Sequence, residues 1–83
     1  MDVTTPELQA YRYTHSRGAS LVAWCVHCLQ WHWHGAGDGH RVAHCHDPQS
    51  PYNTGGYELH EVGTITEREM KQQARLNKRR GRT

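Results

Sequence analysis

The sequence predicts a small α+β domain: β-hairpins lying between a short N-terminal helix and a basic C-terminal helix. Three observations lead there. The chain has 83 residues, of which 35% are hydrophobic and none is Phe. It therefore buries a smaller fraction of its surface than a larger domain would, and it depends on a staple: disulfides, a metal or a partner chain. Its three cysteines cannot pair completely, while eight histidines are far more than so short a chain normally carries. Metal ligation accounts for both counts. Finally, alternating residues from Leu29 to His34 precede a glycine-rich turn, which is hairpin patterning. The expected class is thus a zinc-stabilised, zinc-ribbon-like fold.

Taken in order, Thr5-Pro6-Glu7 carries the signals of a helix start. Thr can cap free backbone N–H groups, Pro suits the first turn and Glu complements the dipole there. A short helix over roughly 6–13 is expected. Ser16-Arg17-Gly18 breaks it, and Ser20-Leu21-Val22-Ala23-Trp24 reads as a short strand running into Cys25. From Leu29 to His34 an extended backbone puts Trp31 and Trp33 on one face and His32 and His34 on the other. Gly35-Ala36-Gly37-Asp38-Gly39 is a turn, and His40 to Cys45 is the return strand of a β-hairpin. If those glycine-rich residues are the whole loop, His34 lies opposite His40 and Cys28 opposite His46. The stretch from Asp47 to Gly56 reads as loop, and Tyr57 to Val62 as a further strand. Thr66-Glu67-Arg68-Glu69 matches a capping box. It starts a helix from Glu67 to about Asn77, fraying into Lys78-Arg79-Arg80-Gly81-Arg82.

The formal net charge of +2 conceals two unlike parts. Residues 1–65 hold six acids against three arginines, whereas residues 66–83 hold seven cations against two acids. The expected division is a zinc-binding β-rich part over 1–65, which includes the short N-terminal helix, and a basic helix and tail over 66–83. No apolar run reaches bilayer-spanning length, and Met1-Asp2-Val3-Thr4-Thr5-Pro6 lacks the basic and apolar regions of a signal peptide. A cytoplasmic protein with no membrane partner is expected.

Cys25-Val26-His27-Cys28 has the spacing with which two thiolates form a knuckle on one tetrahedral ion, and zinc accepts Cys sulfur and His nitrogen without demanding any other geometry. A redox reading of the pair needs a βαβ context that the chain lacks. Structural Zn2+ is the expected cofactor. The remaining ligands are less determined. Cys28, His40 and His44 nearly fit the two-Cys, two-His spacing, but the glycines before His40 and Asp47-Pro48 after it leave too little room for the required helix. In a straight hairpin His34 and His40 stand roughly 20 Å from Cys28 at about 3.3 Å per residue. His44, Cys45 and His46 return to the knuckle instead. Cys45 is the strongest of them, because zinc prefers thiolate. Adjacent residues seldom bind one ion, so Cys45 requires a fourth ligand elsewhere, such as His40 or a His32 carried on a bent strand. If His44 is the ligand, Cys45 is spare. The candidate ligands are therefore Cys25, Cys28, Cys45, His44 and His40, while His15, His27 and His60 read as surface or hydrogen-bonded residues.

The string Cys-x2-Cys, His-x-His-Gly (His32 to Gly35), Gly-His-Arg-x-Ala-His-Cys (Gly39 to Cys45), Ser-Pro-Tyr (Ser50 to Tyr52) and Gly-Tyr-x-Leu (Gly56 to Leu59) resembles small zinc-binding proteins of actinobacteria and their phages. The resemblance covers about residues 25–59. It implies a zinc-ribbon-like or zinc-finger-like domain associated with mobile elements, and it points to His34, His40, His44 and Cys45. It implies no activity.

Function is then to be sought on the surface. Nucleic-acid binding, to DNA or RNA, is the first expectation. Lys71, Arg75, Lys78, Arg79, Arg80 and Arg82 can neutralise phosphates, and Trp31, Trp33 and Arg41 on one hairpin face can stack on bases or lie along a backbone. The alternative is a zinc-stabilised protein–protein adaptor whose basic helix docks on an acidic partner such as a transcription or replication enzyme. Met70 and Ala74 would then be its anchors, with Leu76 off that line. An enzyme is not expected. A catalytic zinc keeps a position open for water, normally beside a carboxylate base, and none of Asp38, Asp47, Glu58 and Glu61 pairs with a histidine at a recognisable metal-dependent nuclease spacing.

Overall fold

The computed structural model describes residues 5–42, 45 and 49–80, apart from the side chains of Thr54 and Arg80. The segment expected to open with a helix is instead strand β1 (Glu7–His15). An isolated helix of that length is marginal, and the residues alternate: Ala10 is fully buried, with Leu8 packed beside it, while Tyr11 and Tyr13 lie on the other face. Two neighbours hold β1. Strand β2 (Gly18–Cys25) returns antiparallel to it across the Ser16-Arg17 turn, with Tyr11 paired to Val22 and His15 to Gly18. Strand β5 (Tyr57–Thr64) runs parallel on its other side, with Glu7 paired to Glu58 and Leu8 to Leu59. A bulge after Ala10 shifts this register, so that Tyr11 pairs with Gly63 and Val62 is left half-exposed.

Strand β3 (Gln30–Gly35) follows the knuckle and pairs antiparallel with β2, Cys25 with Gln30 and Leu21 with His34. The short β4 (Gly39–Arg41) pairs with β5, His40 with Glu58. The expected hairpin between 29–34 and 40–45 is therefore not formed. Its proposed partners His34 and His40 sit in different pairings, and His46 lies outside the described residues. The five-stranded sheet has the order β3-β2-β1-β5-β4, a mixed sheet in place of zinc-ribbon hairpins.

That order forces the sheet to curl. In a flat sheet of this order the outer strands would stand about 19 Å apart, at about 4.8 Å per neighbour. Only Ala36-Gly37-Asp38 joins Gly35 on one edge to Gly39 on the other, a path that reaches about 14 Å at full extension. Arg41 draws the edges together, since its guanidinium donates to the carbonyl oxygens of Gly35 (3.2 Å) and Gly37 (2.6 Å). The concave side encloses the core of Ala10, Leu21, Ala23, Tyr57 and Leu59, with Leu8, Cys45 and Tyr52 packed against it. Two of these core residues are alanines, which suits the tight curl. The stretch read as loop contains a one-turn helix α1 (Tyr52–Gly55), closed by the Gly56 N–H on the Tyr52 carbonyl at 2.7 Å.

Helix α2 (Glu67–Arg80) runs past the expected end at Asn77. It begins on the capping box: Thr66 N–H donates to Glu69 Oε1 at 2.9 Å, and Glu69 N–H donates to Thr66 Oγ1 at 3.1 Å. The helix lies on the convex face. Met70 is buried there, and its carbonyl oxygen accepts the Trp31 indole N–H at 3.0 Å. Among the described residues, no helix is long and apolar enough to cross a membrane.

Candidate metal centre

Cys25 and Cys28 sit in the turn between β2 and β3. The turn is tight: Leu29 N–H donates to the Cys25 carbonyl at 2.9 Å, and Leu29 takes a left-handed φ of 54°, a conformation that costs a non-glycine residue about 1–2 kcal/mol. The backbone N–H groups of His27 and Cys28 turn back on the Cys25 sulfur. Register then brings in a histidine. Cys25 pairs with Gln30 and Ala23 with His32, so His32 lies two residues from the knuckle on the same concave face as Cys25. Cys45 enters from the chain after β4, with its sulfur 3.7 Å from that of Cys25.

Ligand atoms of Cys25, Cys28, His32 and Cys45 all lie within 4.8 Å of one another, and the cluster can hold a metal ion. None of the three cysteines forms a disulfide. The spacing suits a tetrahedral ion: with metal–sulfur bonds of about 2.3 Å, two thiolates on one ion stand about 3.8 Å apart, close to the observed Cys25–Cys45 distance. His32 Nδ1 is 3.0 Å from the Tyr57 hydroxyl, which assigns the buried Nε2 as its ligating atom and Nδ1 as the supporting donor usual for a ligand histidine. The Tyr57 hydroxyl also meets His34 Nε2. Ser50, itself buried, donates its hydroxyl to the Cys45 sulfur at 3.1 Å.

Burial in this pocket favours neutral thiols, so thiolates would need a bound cation. Burial pushes the Cys25 thiol up to about 12, against the pull of the Cys28 and His27 N–H groups, and burial likewise raises the Tyr57 and Tyr52 hydroxyls. Thiolates form in such a place when a positive charge holds them.

The structure brings together Cys25, Cys28 and Cys45 of the residues expected from the sequence. It does not bring in His40, whose Nε2 donates to the Gly55 carbonyl at 2.7 Å; that bond fixes α1 against β4. His44 lies outside the described residues. His32, first considered as an alternative to His40, takes the fourth position, and the signal for it was the short turn that sets the β2–β3 register. Ser50 and Tyr57 could not be found this way, because their approach depends on the curl.

The cationic candidates separate too. Arg41 holds the Gly35–Gly39 loop through its guanidinium. Lys71 is exposed beside Glu67, 3.6 Å away, and Arg75, Lys78 and Arg79 are exposed on α2. Arg82 and the side chain of Arg80 lie outside what is described. Trp31 and Trp33 share the convex face, as alternation requires, but α2 covers the first and leaves the second 53% exposed.

In comparisons with known proteins, no family model matches the chain, and no curated protein or solved structure matches it.

Proposed function

We propose that this chain is a nucleic-acid-binding domain built around a structural zinc ion. Three thiolates and an imidazole are the soft, tetrahedral donor set that zinc favours. Four protein donors fill the coordination sphere and leave no position for the water a catalytic site needs, so the ion's role is to hold the knuckle, β3 and the chain at Cys45 together.

One observation carries the nucleic-acid reading: how α2 divides its faces. Met70 is buried on the sheet and Ala74 and Asn77 are partly covered, while Leu76 stays exposed, so the Met70–Ala74 side of the helix is used within the domain. Met70 and Ala74 are then withheld from a groove on another protein, which weakens the adaptor reading. At 100° per residue, Arg68, Arg75 and Arg79 fall on the opposite arc and Lys71 and Lys78 on its flank; all are exposed. A row of cations on a rigid, docked helix suits phosphates, whose binding releases counterions.

Titration of the metal-loaded protein with DNA and RNA at low and high salt tests this. Binding should weaken steeply with salt. In an Arg75→Glu/Arg79→Glu variant the slope of log K against log salt should fall by about 1 for each lost phosphate contact. Absence of binding to either polymer at low salt would remove the reading.

A further inference from the structure

The concave side gathers three cysteine sulfurs, with no disulfide among them. Zinc takes cysteines as thiolates, and the thiolate is also the form that an oxidant attacks. The three are not equivalent. Cys25 is buried at the end of β2, whereas Cys28 and Cys45 are partly exposed. Cys28 is fixed within the tight turn, where its own N–H and that of His27 face the Cys25 sulfur and Leu29 holds a left-handed φ. Cys45 lies in no strand or helix. Its sulfur accepts the Ser50 hydroxyl at 3.1 Å and stands 3.7 Å from that of Cys25.

We propose that Cys25 and Cys45 form a reversible disulfide that replaces the ion as the staple of the domain, which makes the cluster a redox-controlled zinc-release site. This inference rests on the structural-zinc reading above and adds a regulation to it. The oxidant class is a peroxide. The Cys45 thiolate, the more exposed of the pair, attacks one peroxide oxygen; the O–O bond breaks, Cys45 becomes a sulfenic acid and the other oxygen leaves as hydroxide. The Cys25 thiolate then attacks the Cys45 sulfur, so that the S–S bond forms as the S–O bond breaks and a second hydroxide departs. Solvent protons turn both hydroxides into water. The two sulfurs have together lost two electrons, and the peroxide has gained them.

Geometry selects this pair. The sulfurs must close from 3.7 Å to about 2.05 Å, and Cys45, outside the strands, can cover that distance without displacing one. A bond between Cys25 and Cys28 would instead close inside the turn and disturb the N–H groups that face the Cys25 sulfur. Once Cys25 and Cys45 are joined, Cys28 and His32 remain of the cluster, fewer donors than a structural zinc takes. The disulfide ties the same two points of the chain that the ion tied, the end of β2 and the segment after β4. Closure therefore outlasts the ion, and α2, docked on the opposite face through Met70 and Trp31, keeps its place.

The test adds hydrogen peroxide to the metal-loaded protein and reads zinc released to a chromogenic chelator, disulfides mapped by digestion without reductant, and circular dichroism. One zinc should leave for each disulfide formed, the link should map to Cys25 and Cys45, and the oxidised fold should no longer respond to a chelator. A dithiol reductant with added zinc should restore the starting state. Cys28→Ser keeps the pair and should still form the link, whereas in Cys45→Ser an intramolecular disulfide should form at least about tenfold more slowly. Zinc retained under peroxide, a disulfide mapped to Cys25 and Cys28, sulfenic and sulfinic acids without a disulfide, or a fold lost on oxidation overturns the exchange of staples and leaves the zinc reading standing. A chain that binds no zinc overturns both.

Discussion

Gly56 has φ +73° and ψ −153°, a backbone region open almost only to glycine. A Cβ there would run into the Arg41 carbonyl oxygen and stand 3.1 Å from the His40 ring, so the position is closed by conformation and by space. Gly56→Ala should lower stability by at least about 1–3 kcal/mol, read as a fall in the urea midpoint with an unchanged slope. The loss should arise at the junction of α1, β4 and β5, where His40 bonds Gly55. The same residue explains why His40 was misread as a ligand. In sequence it is one of a dense run of histidines, and only the close approach of β4 to Gly56 assigns its ring to a carbonyl. His32 was legible to a greater degree, because a short turn sets strand register and register sets faces. Ser50 and Tyr57 carry no local signal at all: the serine comes from a loop, and the tyrosine comes from a strand three places from β3 across the curled sheet.

At the scale of elements, local signals succeeded where they were also reciprocal. The capping box places the start of α2 at Glu67, since two side chains must agree for it to form. Alternation located β3 and the separation of its tryptophans from its histidines. The Thr5-Pro6-Glu7 signal failed: caps stabilise a helix by only about 1 kcal/mol, less than β1 gains from two strand partners. One of those partnerships has a measurable charge component. Arg12 on β1 grips Glu61 on β5 through two bonds, 2.8 and 2.9 Å. The hydrogen bonds from Arg12 hold the Glu61 carboxyl below its ordinary 4.5. A carboxylate whose pKa is lower in the folded state stabilises the fold above the unfolded value and loses that contribution as pH falls through the folded one. The stability gap between wild type and Glu61→Gln should therefore be constant above pH 4.5 and close in more acidic solution. Urea midpoints across a pH series check this, and a gap independent of pH would show that the pair has no such role.

For the molecule as a whole, the candidate metal centre sits where the sheet, the knuckle and the chain at Cys45 converge, and no large core backs it among the described residues. Structural zinc supplies about 10–16 kcal/mol of apparent binding free energy in small peptides, against a total stability of about 5–15 kcal/mol for an ordinary domain. A strong chelator should therefore abolish cooperative melting, and elemental analysis should find one zinc per chain before treatment and none after. A melting transition unmoved by the chelator would remove the structural role. The dependence on a staple was legible from composition, and the knuckle from spacing. The topology was not, because nothing near Glu7 in sequence announces a partner at Glu58.

That parallel pairing has a kinetic consequence. Strand β1 leaves the ribosome about 50 residues ahead of its partner β5, and until then only the β1–β2 and β2–β3 hairpins are available to it. A meander of those strands alone would carry an open edge on β1, the kind of edge that pairs with a neighbouring chain. Closing a loop of that length slows folding through its entropy. An ion that ties Cys25 to Cys45 beforehand shortens the loop by about 20 residues, a rate gain of roughly twofold from chain length alone. If the cluster takes up its ion during synthesis, metal supply would thus set how long the unfinished edge persists, as well as how stable the finished domain becomes.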